Sequence, residues 1–137
     1  MLFRSVGIIY VDLDDFKPIN DKFGHLAGDR ALVEISERLQ SVLRASDTVA
    51  RVGGDEFVAV LNHVRGKGDV ESAARKVLEV CDAPLEFLGE SCRIGASMGI
   101  AMFPDDGDSL EALVHCADSA MYTIKHSSKK GYAFYSR

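Results

Sequence analysis

Residues Val6 to Val11 form an unbroken apolar run, Val-Gly-Ile-Ile-Tyr-Val, rich in β-branched side chains. A strand without polar alternation is one buried on both faces of its sheet. The run ends abruptly at Asp12, Asp14 and Asp15. It is thus far short of the ~20 apolar residues that cross a membrane as a helix. No small-residue cleavage pattern follows, so it makes a poor signal peptide.

The rest of the chain must supply the cover. From Asp29, the residues Leu32, Ile35, Leu39 and Val42 recur at helical spacing, which predicts one long amphipathic helix. Thr48 to Val52 and Glu56 to Leu61 read as strands joined through Gly53-Gly54-Asp55, a sequence permitting a tight reversal. Asp69 is placed to cap a second helix carrying Ala73, Val77, Leu78 and Cys81, which Pro84 ends. Strands at Leu85 to Leu88 and Arg93 to Met102 follow, joined through Gly89-Glu90. Asp108 or Ser109 caps a third helix through Leu110, Leu113, Val114, Ala117, Met121 and Ile124, before a last strand at Tyr132 to Tyr135. Helices alternating with hairpins predict an α+β fold, an antiparallel-rich central sheet flanked by helices in the manner of a ferredoxin-like palm. At 137 residues the chain reads as a single domain spanning residues 1–137. The net charge of −5 argues against broad attraction to nucleic acid or an anionic membrane. Cys81, Cys92 and Cys116 are odd in number and widely spaced, in keeping with reduced thiols in a soluble, cytoplasmic setting.

The acidic residues invite a chemical reading. Asp12, Asp14 and Asp15 lie where the first strand leaves the core, and Asp55 and Glu56 lie at the hairpin tip. If the two elements are neighbours, the carboxylates converge, and all-oxygen ligands suit Mg²⁺ or Mn²⁺ better than zinc. Solvated acidic strand ends are the competing reading, and spacing alone leaves both open. Gly53 and Gly54 offer unobstructed backbone N–H groups of the kind that contact phosphates, but also of the kind that merely turn a chain.

Arg51-Val52-Gly53-Gly54-Asp55-Glu56-Phe57 resembles the signature of the GGDEF family of diguanylate cyclases. Asp12-Leu13-Asp14-Asp15-Phe16-Lys17-Pro18-Ile19-Asn20-Asp21, followed by Gly24-His25 and Gly28-Asp29, is similar to that family's upstream block. Ser97 to Ala101 and Ala117 to Lys125 resemble its later blocks, so four matched blocks span almost the whole chain. The resemblance implies the nucleotidyl cyclase-like form of the palm. It also implies an enzyme that condenses two GTP into cyclic di-GMP and two pyrophosphates.

In that reading Asp12, Asp55 and the Leu13 carbonyl hold Mg²⁺ or Mn²⁺, and Glu56 adds negative charge or acts as a base. Asn20 and Asp29 bind the guanine edge, with His25 lining the same pocket and Gly53 and Gly54 beside the nucleotide. A pocket built for those hydrogen bonds rejects adenine by leaving polar groups unpaired. Lys125 and Lys129 match phosphate-contacting positions, although both also read as solvated cations near a helix C-terminus. Lys17 is a further phosphate partner or a surface residue. The partners implied are GTP, cyclic di-GMP and a second copy of the domain, met transiently so that each 3′-hydroxyl reaches the other nucleotide. Neither nucleic acid nor membrane contact is expected.

Arg44-Ala45-Ser46-Asp47, five residues before Gly53, resembles the family's Arg-x-x-Asp inhibitory site, where arginine's planar fork suits phosphate or a guanine face. Its other reading is a helix end followed by a strand start. The family's usual opening segment, Asp-x-Leu-Thr-Gly-Leu-x-Asn-Arg, has no counterpart in Met1-Leu2-Phe3-Arg4-Ser5, which implies an N-terminally truncated member. Two alternatives accompany the cyclase reading: a module that binds GTP or cyclic di-GMP without turnover, and a structural domain that uses the fold alone.

Overall fold

A computed structural model describes residues 5–127 and 130–136. The apolar run becomes β1 (Ser5–Asp14), the middle strand of a five-stranded sheet. It pairs antiparallel on one side with β3 (Glu56–Val64) and on the other with β6 (Gly95–Phe103). β2 (Thr48–Arg51) adds antiparallel to β3, and β7 (Gly131–Phe134) adds parallel to β6, giving the order β2-β3-β1-β6-β7.

Period-two alternation then explains why the body of β1, Val6 to Val11, is apolar on both faces. Ile9, Val11 and Leu13 point into a core shared with α2 (His25–Val42) and α3 (Lys67–Asp82), through Ile35, Leu39, Val70, Val77 and Cys81. Ile8 and Tyr10 point the other way, against Leu113, Ala117 and Met121 of α4 (Leu110–Lys125). The α4 backbone lies so close to β6 that a Cβ on Gly99 would stand 1.9 Å from the Ala117 carbonyl oxygen and 2.3 Å from the Met121 nitrogen. The expected α+β architecture is present.

Several local expectations are revised. The long helix begins at His25, four residues before Asp29, and a separate α1 (Lys17–Phe23) precedes it. Pro18 sits in the first turn of α1, and Gly24 at φ 90° breaks the chain between the two helices. Asp69 is not the N-cap of α3. That position is Gly66, and Asp69 accepts the Arg65 backbone N–H at 3.0 Å from inside the first turn. The strand expected from Arg93 to Met102 is β6, starting at Gly95, and the connection expected before it holds a further strand, because β4 (Leu85–Phe87) and β5 (Glu90–Cys92) pair with each other in a separate two-stranded sheet. Leu88 and Gly89, both at positive φ, make the two-residue turn between β4 and β5. Ser109 caps α4 as expected, its Oγ accepting the Ala112 N–H at 3.1 Å. Among the described residues no helix is long and apolar enough to cross a membrane.

Candidate active site

The carboxylates meet because of strand register. Asp12 stands directly opposite Glu56 in the β1–β3 ladder, and the Leu13 N–H donates to the Asp55 carbonyl at 3.0 Å. Glu56 is steadied from below by Tyr10, whose hydroxyl donates to Glu56 Oε1 at 3.2 Å. Gly53 leaves room for this carboxylate, since a Cβ there would lie 2.7 Å from Glu56 Oε1. Burial, with the Glu56 and Asp118 charges behind it, pushes the Tyr10 phenol up to about 12.

A cation already stands among these acids. Lys125, at the last turn of α4, directs its ammonium at Asp14 Oδ1 (2.9 Å), the Leu13 carbonyl oxygen (3.0 Å) and Asp12 Oδ1 (3.3 Å). Burial alone would lower the Lys125 pKa, but the hydrogen bond to Asp14 and the charges of Asp12 and Asp14 outweigh it and the net shift is upward. Asp12 is also shifted upward. Burial is the largest cause, Lys125 opposes it, and Asp55 and Glu56 add to it. Both members of one ion pair are thus raised, because burial of Asp12 outweighs the pull of Lys125; by distance, Asp14 is the nearer partner of the ammonium.

Asp14 itself is fully buried. It accepts hydrogen bonds from Ser97 Oγ at 2.8 Å and from the Lys130 N–H at 2.9 Å. It therefore ties β1 to β6, to α4 and to the residue that precedes β7, and it shares the Asp12 face of β1, two residues further along, with the Lys125 ammonium between the two carboxylates. Among the described residues no three His, Cys, Asp or Glu side chains cluster as a metal cage. The candidate donors are instead the Asp12 carboxylate and the Leu13 carbonyl, with Asp55 alongside. That Asp12 and Leu13 oxygens converge on one point is shown by the single ammonium reaching both. Oxygen donors of this kind fit Mg²⁺ or Mn²⁺.

Next to these acids lies a cleft of about 310 Å³ between α1, α2 and the β2–β3 turn. Lys17 and Asn20 line it from α1, His25 and Asp29 from α2, and Arg51, Gly54 and Asp55 from the turn. Arg51 Nε donates to the Gly53 carbonyl at 3.0 Å, and a Cβ on Gly54 would meet nothing within 4 Å. Asn20 lies flat against α2 because residue 28 has no side chain: a Cβ there would fall 1.7 Å from Asn20 Oδ1. Gly28, Tyr10 and Ser97 are thus supporting residues. In the sequence Gly28 and Ser97 stand only as members of matched blocks and Tyr10 only as part of the apolar run, and none of them carries a role there, because long-range packing alone supplies it. Gly53 and Lys125 do not line this cleft, although Lys125 reaches Asp12, while Lys129 lies outside the described residues.

Arg44 and Asp47 lie elsewhere, on a second cleft of about 350 Å³ shared with Arg65 and Lys76. The Asp47 side chain is only 3% exposed against 54% for Arg44. Asp47 accepts the Arg44 N–H at 3.0 Å and the Asn62 N–H at 3.1 Å, and its carboxylate also takes the Arg44 guanidinium. The guanidinium additionally donates to the Asn62 carbonyl at 2.6 Å. In this arrangement Asp47 braces the loop between α2 and β2, and Arg44 is the member that faces solvent.

Comparison with known proteins places this geometry in context. The family described as diguanylate cyclase, GGDEF domain, matches residues 3–131. The bifunctional diguanylate cyclase/cyclic di-GMP phosphodiesterase MucR of Pseudomonas aeruginosa is 40% identical over 132 residues, which is 96% of this chain but 19% of MucR. The cyclic di-GMP phosphodiesterase NbdA of the same organism is 35% identical over 98% of this chain and 17% of its own length. The chain thus spans about a fifth of the length of these curated relatives. The crystal structure of the GGDEF domain of TpbB, also from Pseudomonas aeruginosa, superposes with a TM-score of 0.93 at 36% identity, covering 98% of this chain and 84% of that one.

Proposed function

The chain belongs to the GGDEF-domain diguanylate cyclase family, with its nucleotidyl cyclase-like palm, and from that premise we propose that it condenses two GTP into cyclic di-GMP and two pyrophosphates. One observation carries the reading: Asp12 stands opposite Glu56, the Leu13 N–H bonds the Asp55 carbonyl beside them, and Asp55 in turn lines a cleft that also holds Asn20 and Asp29.

In this proposal the Asn20 carboxamide and the Asp29 carboxylate read guanine's O6 and its N1–H and N2–H groups, with His25 closing the pocket. Lys17, Lys125 and Lys129 bind phosphate oxygens. Asp12, the Leu13 oxygen and Asp55 would hold Mg²⁺ or Mn²⁺, which when bound neutralises phosphate charge and favours the ionised 3′-hydroxyl. Glu56, held by the Tyr10 hydroxyl, takes the proton from the nucleotide's 3′-hydroxyl in this reading. The 3′-oxygen of one GTP bonds to the α-phosphorus of the other as the bond to pyrophosphate breaks, and the same exchange in the opposite direction closes the ring. One cleft holds one nucleotide, so two copies must meet face to face. Proximity then supplies much of the rate. Cyclic di-GMP binds back at Arg44, held in place by Asp47, and limits turnover.

Chromatography of products after incubation with GTP and Mg²⁺ tests this, with cyclic di-GMP and pyrophosphate expected at 1:2 and lost in Asp55→Asn. A second reading, a GTP-binding module without turnover, draws on the 35% identity to NbdA, a protein named for phosphodiesterase activity alone. Saturable GTP binding with no product would favour it.

A further inference from the structure

The three hydrogen bonds of the Lys125 ammonium use all the donors that lysine has. Two of them end on the Leu13 carbonyl oxygen, at 3.0 Å, and Asp12 Oδ1, at 3.3 Å. These are oxygens assigned above to a divalent ion, and the inference rests on that assignment. The third ends on Asp14 Oδ1 at 2.9 Å, a group locked by Ser97 Oγ and the Lys130 N–H. Asp14 therefore fixes one side of the ammonium while the flexible four-carbon stem lets the other side leave.

A cation in this position does two things. It offsets the burial of Asp12, whose side chain is 15% exposed, facing Glu56. It also stands within hydrogen-bond distance of oxygens that a divalent ion must approach to about 2.0–2.6 Å, so the two positive charges exclude one another. A triphosphate in the neighbouring cleft offers the ammonium new anionic oxygens, and moving toward them uncovers Asp12 and Leu13.

We propose that Lys125 is the resident counter-ion of the metal-binding oxygens, and that a divalent cation takes them well only when a polyphosphate draws Lys125 away. Cation and nucleotide binding are then coupled, each strengthening the other by the same factor.

The test measures Mn²⁺ alone, without nucleotide, by electron paramagnetic resonance of the free ion. Lys125→Met should bind Mn²⁺ about tenfold tighter than the wild type, or better, because the ammonium's contacts with the Leu13 and Asp12 oxygens no longer have to be broken. The gain should persist in about 1 M salt, where the screening length of about 3 Å removes long-range repulsion but not direct occupancy. Equal or weaker Mn²⁺ binding by Lys125→Met, or a gain that disappears in salt, overturns the proposal. Lys125→Gln keeps a donor for Asp14 and repeats the test should the methionine variant not fold. Asp12→Asn in both backgrounds separates the two ideas. If it weakens Mn²⁺ binding while Lys125→Met changes nothing, the coupling is wrong and the metal site stands. If Asp12→Asn has no effect in either background, the metal assignment itself is wrong.

Discussion

Gly28→Ala is the sharpest probe of the cleft, because its effects on folding and on recognition should part company. The added methyl would lie 1.7 Å from Asn20 Oδ1 and 2.8 Å from Asn20 Cγ, against the flexible end of a side chain and not against backbone. The carboxamide must retreat by more than an ångström, which its rotamers allow without unfolding α1. Folding should change little: alanine is favoured over glycine in a helix interior by about 1 kcal/mol, which offsets the displaced side chain. Recognition should suffer. A carboxamide swung out of register leaves a guanine group unpaired, at about 1–3 kcal/mol, or about 5- to 150-fold in Kd. Calorimetry with a GTP analogue lacking the 3′-hydroxyl, alongside ATP, reads both the loss and the collapse of base preference, while thermal melting reads stability. Gly68→Ala, where a Cβ meets nothing within 4 Å, controls for helix propensity. Wild-type affinity and wild-type base preference in Gly28→Ala would refute the argument that this glycine positions Asn20 for guanine.

Gly99→Ala should instead damage the fold, because the methyl meets the Ala117 and Met121 backbone; a loss of about 3 kcal/mol or more in denaturant unfolding is expected, and wild-type stability would be inconsistent with the close β6–α4 packing. Arg44→Ala should weaken cyclic di-GMP binding by about tenfold or more with a near-normal melting temperature. Asp47→Ala should cost about 1–2 kcal/mol of stability through the lost Arg44 and Asn62 N–H acceptor, and unfolding curves that rank the two the other way would contradict their assigned roles. Tyr10 is raised from 10.0 to about 12, so the fold favours the protonated phenol. Its contribution is complete below the unfolded value and is lost as pH climbs through the window from 10.0 to about 12, which Tyr10→Phe should flatten in melting scans.

Some of this was legible in the amino-acid order and some was not. Hydrophobic period is a local property, so the buried strand at Val6 to Val11, the amphipathic helices and the Gly-Gly hairpin could be read directly, and the Asp-rich strand exit marked where chemistry would gather. α1 escaped because Lys17 to Phe23 carries a proline and only one fully buried residue, Ile19, so it shows no apolar stripe. β5 escaped because Glu90 to Cys92 is only three residues long and nothing local tells Cys92 to pair with Leu85. The same distinction applies at the site. Asp12, Asp14 and Asp15 are near-identical in sequence terms, yet tertiary packing gave them different surroundings. Register set Asp12 opposite Glu56, while Asp14, on the same face two residues further along, was buried against Ser97, Lys125 and the Lys130 N–H. Residue types and periodicity determined the sheet, the helices and the acidic cluster. Which carboxylate meets which partner was decided only by contacts spanning up to 116 positions along the chain, and no window of sequence contains those.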